Sequence, residues 1–201
     1  KTLNLDDVLP VNQNLSKFNF HPMYNFMGGY VTETKKEFRD TLGLIVNILE
    51  QNKRAHIQGM GMVVPYPGTN YLRQCQEHGL KEPTSLEGWY NYNPEDWINY
   101  NPLVSDVERR FFKTLHVSSL FIDRKAFTSI TGKSLYGILV RIFFLFYHKV
   151  ARLRFKHFTG ILPIERYIFN IFNLLFVAPK KDGYQRFGVI SKGSRSASGG
   201  I

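Results

Sequence analysis

The sequence predicts an α/β fold in its first part, followed by a region built only of helices. Three observations support this fold class. Helical and strand patterns alternate with short connections over residues 3–78, which is the order of parallel βα units. From residue 105 to residue 177 the patterns are helical throughout. The charge divides in the same way, because residues 1–133 carry a net charge of +1 and residues 134–201 carry +9.

The first element is predicted to be a helix over residues 3–18. Its apolar residues recur at steps of three and four, at Val8, Val11, Leu15 and Phe18. Pro10 is compatible with a helix only in the first turn, which an N-cap at Asp6 or Asp7 provides.

A strand follows and ends at a double glycine, in the stretch HPMYNFMGGYV. Thr34 and Glu37 have the spacing of a capping box, which marks the start of a second helix. The apolar face of that helix carries Phe38, Leu42, Ile45, Val46 and Leu49. A second strand lies within AHIQGMGMVVPYPGT, and a short helix over about residues 70–78 is ended by Gly79.

The glycines at the end of the first strand are candidate ligand contacts. Parallel sheets bind ligands beyond the carboxyl ends of their strands, where Gly28 and Gly29 lie. A missing side chain lets a ligand approach the backbone. Glu33 lies near the start of the next helix, where its carboxylate could accept hydrogen bonds from hydroxyls or an amine of the ligand. The alternative is structural, with the glycines forming a tight turn and Glu33 interacting favourably with the helix dipole.

Two more glycines share one face of the second strand, because Gly59 and Gly61 are two residues apart. The same alternation assigns the other residues, with Ile57 and Val63 beside the glycines and Met60, Met62 and Val64 on the opposite face under the helices. Two glycines on one face leave space either for a ligand or for a bulky neighbouring side chain.

Residues 84–133 are predicted to form an aromatic connector and one helix. The connector carries Trp89, Tyr90, Tyr92, Trp97 and Tyr100. Such a cluster favours packing onto the rest of the protein over stacking of a flat substrate such as a tetrapyrrole. Ser105 and Glu108 form a second capping box, which begins a helix that ends near Phe121.

Two further helices and a tail complete the prediction. Ser134 begins a long helix that ends near His157, and Pro163 begins another that ends near Val177. Residues 134–180 are therefore basic apolar helices, and residues 181–201 are predicted to be a disordered tail of low complexity.

The residue types argue against a metal site within the chain itself. The single cysteine, Cys75, lies in a helical pattern and is expected to be buried; alone it forms no disulfide and no CxxC site. The six histidines show neither HxxxH nor HExxH spacing.

Four stretches together resemble the radical S-adenosylmethionine enzymes that carry a cobalamin-binding domain, a group that includes the anaerobic magnesium-protoporphyrin monomethyl ester cyclases. The stretches are YNFMGGYVTETKKEF, VVPYPGTNYL, HGLKEPTSLEGWYNYNPEDW and SDVERRFF, and the likeness covers about residues 3–125. Val31 and Thr32 replace the proline and the second glycine of the family's G-x-P-G-E-T pattern. Pro65 to Thr69 match its P-x-P-G-T pattern without departure.

The resemblance implies that the two strands are the fifth and sixth of a partial, TIM-like (β/α) barrel, with residues 1–83 as its last βα units. It also implies that the carboxyl ends of these strands help to hold S-adenosylmethionine. The residues implicated are Gly28, Gly29, Glu33, Gly59, Gly61, Val64, Pro65 and Pro67. In the family, a reduced [4Fe–4S] cluster cleaves S-adenosylmethionine to a 5′-deoxyadenosyl radical that abstracts hydrogen from a small-molecule substrate.

The cluster motif of the family, C-x-x-x-C-x-x-C, needs three cysteines, and this chain has one. We therefore expect the ligands of the [4Fe–4S] cluster and the cobalamin-binding domain to lie in a missing N-terminal part of the same enzyme. The start at Lys1, without Met or a signal peptide, agrees with that expectation. The chain alone is expected to be inactive, and the parent enzyme to be cytoplasmic or peripheral to the inner face of the membrane. The substrate and the reaction subtype (methylation, cyclisation or rearrangement) are not encoded in these patterns.

The basic region has two interpretations of equal weight. Residues 134–181 suit helices that lie on an anionic membrane surface, and they also suit core helices that close the open side of the barrel. The charge-free stretch 167–179 is too short to span a bilayer. Nucleic-acid binding ranks third, because no recognition-module signature occurs. The rival to the enzyme hypothesis is a truncated, non-catalytic module that binds a partner protein or an anionic membrane surface.

Overall fold

The computed structural model describes residues 4–93, 97–123 and 135–159, together with Ile164 and Tyr167. This part of the chain is mostly helical and contains a parallel sheet of two strands. The strands are β1 (Met23–Gly28) and β2 (His56–Met62), and the helices are α1 (Val8–Leu15), α2 (Lys35–Gln51), α3 (Asn70–Glu77), α4 (Trp97–Tyr100), α5 (Asp106–Ile122) and α6 (Leu135–His157). Short 3-10 helices cover Leu5–Asp7 and Glu87–Asn91. The predicted helix from Pro163 to Val177 and the tail over residues 181–201 lie outside this description, apart from two positions.

The predicted order of parallel βα units is confirmed for the described chain. β1 pairs with β2 in parallel, from Met23 beside His56 to Gly28 beside Met62. The helix α2 connects the two strands, as a parallel pair requires. The predicted termination of α3 is confirmed as well, because Gly79 adopts a positive φ of 97° just after the helix.

A bulge in β2 changes one predicted face. Tyr24 pairs with Ile57 and the next residue, Asn25, pairs with Gly59, so Gln58 has no partner of its own. The prediction that Ile57 shares the glycine face was wrong. The extra residue interrupts the alternation, and Ile57 is buried in the hydrophobic core.

The helix α2 is the central element of the core. The predicted capping box is confirmed, since the Thr34 hydroxyl accepts the backbone N–H of Glu37 and the Glu37 carboxylate accepts that of Thr34. Its buried residues are Phe38, Leu42, Ile45, Val46 and Ile48. Four of these are the predicted ones; Ile48 is buried where Leu49 was expected, and Leu49 packs at the edge of the core.

The first helix is shorter than predicted and is held by a polar contact. A 3-10 turn precedes it, α1 ends at Leu15, and Pro10 lies in its first turn as expected. Val11 and Phe18, two of the four periodic apolar residues, are exposed. The fully buried residue of α1 is Asn12, whose amide donates to the carbonyl of Ile48 at 3.0 Å. A polar contact with the end of α2 therefore positions α1.

The core crosses the predicted segment boundaries at residues 83 and 133. One hydrophobic cluster joins α2, β2 and α3 to Trp97, Phe112 and Leu115 of α4 and α5 and to Phe155 of α6. The aromatic connector packs as predicted in part. The rings of Trp89, Tyr92 and Trp97 follow one another at centroid distances of 4.7 and 4.6 Å, whereas Tyr90 and Tyr100 are exposed. The described parts of the three segments thus share one core.

Candidate functional site

One face of the two-stranded sheet is uncovered. On β1, Met23 and Met27 are 65% and 60% exposed, and Asn25 between them is exposed as well. Asn25 pairs with Gly59 and Met27 pairs with Gly61, so the two glycines continue this face on β2. The opposite face packs against the helices, where Met60 and Met62 are buried as predicted.

The glycines on β2 leave real space on that uncovered face. A Cβ added at Gly61 would meet no atom within 4 Å, and one added at Gly59 would only touch the hydroxyl of Ser119 at 3.5 Å. A bulky neighbouring side chain therefore does not fill this space among the described residues. Gly59 has a further reason to be glycine, because its φ of +132° is one that other residues rarely adopt.

The glycines at the end of β1 have protein neighbours instead. A Cβ at Gly28 would lie 2.6 Å from a ring carbon of Phe38 and 2.8 Å from the methyl group of Met60. Gly29 has a φ of +78°, and a Cβ there would lie 3.2–3.3 Å from Met62 and Phe112. The double glycine accommodates the packing of these side chains, so only backbone atoms of Gly28 and Gly29 remain for a ligand.

Glu33 closes the turn that follows β1. Its carboxylate accepts the backbone N–H of Gly29 at 2.6 Å, and its own N–H donates to the carbonyl of Tyr30 at 2.9 Å. Partial burial raises the pKa of Glu33, and hydrogen bonds from the backbone of Gly29 and Tyr30 offset part of that rise. Thr34 is the N-cap of α2, so Glu33 lies one residue before the N-cap rather than within the first turn of the helix. Val31 packs against the core, and Thr32 is exposed.

The end of β2 supplies the second wall of the site. Val64 and Pro65 are buried, whereas Pro67 is exposed in the turn that leads into α3. Gly68 in this turn has a φ of +77°, which explains the glycine of the PYPGT stretch. The Thr69 hydroxyl accepts the backbone N–H of Leu72 and thereby caps α3.

Two tyrosines that the sequence did not single out join the two strand ends. The hydroxyl of Tyr71, in the first turn of α3, donates to the carbonyl of Gly29 at 3.2 Å. Its ring contacts that of Tyr30 edge-on at 5.2 Å between centroids, and burial raises the pKa of Tyr71. An aromatic residue directly after P-x-P-G-T-N was the available signal, since the first turn of that helix faces the neighbouring strand end.

The two edges of the sheet differ. The helix α5 covers the outer edge of β2, where His116 Nδ1 donates to the carbonyl of Met60 at 2.8 Å and the Ser119 hydroxyl accepts the N–H of Met60 at 3.2 Å. Because a carbonyl only accepts, this contact places a proton on His116 Nδ1. No described residue pairs with the outer edge of β1.

The described residues include no group of three or more His, Cys, Asp or Glu side chains that could hold a metal ion. Cys75 is buried as predicted, and its burial raises the pKa of the thiol. No family model, curated protein or solved structure matches the chain.

Proposed function

We propose that the chain is the C-terminal part of a cobalamin-type radical S-adenosylmethionine enzyme, and that its strand ends help to bind S-adenosylmethionine. The observation that carries the proposal is the uncovered sheet face beside the Glu33 turn. That face combines empty space at Gly61 with a half-buried carboxylate at the carboxyl end of the neighbouring strand. A ligand of parallel βα units is expected at this end.

The open edge of β1 supports the existence of further strands. Large apolar side chains are exposed from the first 3-10 helix to the start of β1; they are Leu5, Val11, Phe18, Phe20 and Met23. In a barrel, a preceding βα unit would pair with β1 and cover these side chains. An unpaired edge with exposed apolar neighbours is otherwise an aggregation hazard.

The covered edge of β2 supports its position as the last strand of an open barrel. His116 and Ser119 satisfy the backbone groups of Met60 that a further strand would bind. The helix α5 therefore occupies the position in which a further strand would pair with β2. This is the position expected beside the sixth and final strand of a partial barrel. In this arrangement the uncovered face of the sheet is the barrel interior.

Each part of the site has a role in this proposal. The space beside Gly61 receives the flat part of S-adenosylmethionine, and the Glu33 carboxylate accepts hydrogen bonds from its amine or its ribose hydroxyls. Val64 and Pro65 hold the end of β2 in place, and Pro67 shapes the turn. A carboxylate that burial makes costly to ionise is a feature of binding sites.

The iron–sulfur cluster does not fit this chain. One buried thiol cannot provide its three cysteine ligands, and the described residues offer no substitute. In the proposed whole enzyme, a cluster held by the N-terminal part would supply the electron for cleavage of S-adenosylmethionine. The ligands of the cluster and the cobalamin-binding domain belong to the N-terminal part in this proposal, so the 201-residue chain alone is inactive. The parent enzyme acts on a small molecule in the cytoplasm.

The reading frame that contains the codon for Lys1 tests the proposal. We expect it to encode C-x-x-x-C-x-x-C upstream, preceded by a cobalamin-binding domain. A frame that lacks this cysteine motif would overturn the enzyme proposal and favour a non-catalytic module that binds a partner. The binding of S-adenosylmethionine by the protein that the whole frame encodes is the second test, because the motif alone does not show that Glu33 and Gly61 contact the cofactor.

A further inference from the structure

The helix α6 packs against the protein through one face. Phe144, Tyr147 and Ala151 form a buried cluster with Phe121 of α5. Arg154 extends the same face, where its guanidinium donates to the Ser118 hydroxyl at 2.6 Å. The inner face of α6 is therefore fully used by α5 and the core.

The outer face of α6 is apolar and exposed. It carries Ile138, Leu139, Ile142, Phe146 and Leu153, each between 49% and 62% exposed. These residues form a stripe about 22 Å long, at 1.5 Å per residue. None of the helices α1 to α5 exposes more than one large hydrophobic residue. A stripe of this kind marks an interaction surface.

Positive charge accompanies the stripe. The helix contains five Lys or Arg residues and no Asp or Glu. Arg152 pairs with Glu50 and Arg154 is buried, which leaves Arg141, Lys149 and Lys156 exposed. Ile142, Lys149 and Lys156 are seven residues apart and so lie along one side of the helix, at the border of the stripe.

We propose that this outer face of α6 lies on an anionic lipid surface. The long Lys side chains can reach lipid headgroups while the apolar stripe enters the interface. A second copy of the chain fits less well, because two such helices would bring like charges together without an acidic residue on either. The proposed arrangement is an interfacial one, because the exposed apolar residues of α6 lie along one side of the helix. Among the helices of the described residues, none has the length and apolar content of a membrane span. The inference is independent of the proposed enzymatic function.

Flotation with vesicles tests this inference on the 201-residue chain. Vesicles of pure phosphatidylcholine are compared with vesicles that contain 30% phosphatidylglycerol, at about 50 mM and about 500 mM salt. We expect binding to the anionic vesicles at low salt and a strong decrease at high salt, because salt screens exposed charges. Equal recovery on both vesicles, or recovery on neither, would overturn the proposal.

Substitutions show whether α6 is the contact. The double variant Lys149→Gln with Lys156→Gln should lose roughly 25-fold in partitioning to anionic vesicles, at about fivefold for each cation. Phe146→Ser should also weaken binding, whereas the control Val107→Ser, at a residue of α5 that is 68% exposed, should not. If Phe146→Ser binds like the unaltered chain, the outer face of α6 is not the contact. If the chain forms dimers without vesicles and Phe146→Ser abolishes them, a second copy occupies this face and the proposal fails.

Discussion

The carboxylate of Glu33 accepts the backbone N–H of Gly29 across 2.6 Å. This hydrogen bond closes the turn between β1 and α2 and holds a half-buried negative charge at the carboxyl end of the strand. The same residue thus has a structural role in the turn and, in our proposal, a role in cofactor binding. Substitution of Glu33 separates the two roles: loss of the turn contact changes the stability of the protein, and loss of a cofactor contact changes the affinity for S-adenosylmethionine.

The pH dependence of stability tests the burial of Glu33. Its folded-state pKa lies above the ordinary value of about 4.5, so the folded protein holds the proton more tightly than the unfolded chain does. Proton binding by Glu33 therefore favours the folded state. This contribution to stability is complete below pH 4.5 and is lost as the pH rises through the folded-state pKa of Glu33. In urea unfolding, Glu33→Gln should therefore gain stability relative to the unaltered chain as the pH rises above 4.5. A stability difference that does not change with pH would show that burial does not govern this carboxylate.

Glu33→Gln in the protein encoded by the whole reading frame tests the proposed binding role. A hydrogen bond between a charged amine and a carboxylate is worth about 1.5–3 kcal/mol, so S-adenosylmethionine should bind about ten- to a hundredfold more weakly. Calorimetric titration measures this affinity. If the affinity is unchanged while the melting temperature shifts, Glu33 serves only the turn.

Gly28→Ala tests whether the end of β1 is packed by protein side chains. The added Cβ meets Phe38 and Met60 at less than 3 Å, so we expect a loss of about 1–3 kcal/mol in the free energy of unfolding. Gly43→Ala is the matched control, because this glycine lies within α2 and has open space around it. The control should gain about 0.5–1 kcal/mol. Equal stability of the two variants would contradict the packing described for Gly28.

Gly61→Val tests the empty face of the sheet. The space beside Gly61 accepts a side chain, and its φ is not in the positive range, so the free energy of unfolding of the 201-residue chain should change by less than about 1 kcal/mol. In the protein that the whole reading frame encodes, the valine would occupy the proposed cofactor space and abolish binding of S-adenosylmethionine. Unchanged binding would mean that this face packs against other parts of that protein. Gly59 is a poorer probe, because its positive φ strains any replacement.

Asn12→Ala tests the polar contact that holds α1. Asn12 donates to the carbonyl of Ile48 and accepts the hydroxyl of Tyr24 at 3.0 Å and the amide of Asn52 at 3.3 Å. Its removal leaves buried polar groups without partners, at a cost of about 1–3 kcal/mol. Tyr24→Phe, which removes one donor and leaves the rest of the network intact, should cost less. If Asn12→Ala unfolds at the same urea concentration as the unaltered chain, this network does not hold α1.

Contacts between residues close in sequence were predictable, and contacts between distant residues were not. Both capping boxes form as predicted because their partners are three residues apart, at Thr34 and Glu37 and at Ser105 and Glu108. The buried residue of α1, Asn12, was not predictable because its partner Ile48 lies 36 positions away. A hydrophobic pattern gives no indication that an asparagine will be the buried residue.

The candidate site shows the same division. The double glycine at the end of β1 was predictable from the turn and the capping signal that follow it. The neighbours of Gly28 were not, because Phe38 reaches it from α2 only once the helix has packed on the sheet. The bulge at Gln58 could not be predicted from the sequence either. The prediction assumed strict alternation along the strand, which assigns Ile57 to the wrong face.

The most direct test of the proposed function is the reaction of the whole enzyme with S-adenosylmethionine. The protein encoded by the complete reading frame is reconstituted anaerobically with iron and sulfide, reduced, and assayed for 5′-deoxyadenosine. The proposal predicts a stoichiometric [4Fe–4S] cluster and formation of 5′-deoxyadenosine, with no cluster and no product for the 201-residue chain alone. A reconstituted whole protein that holds no cluster and leaves S-adenosylmethionine intact would contradict the proposal.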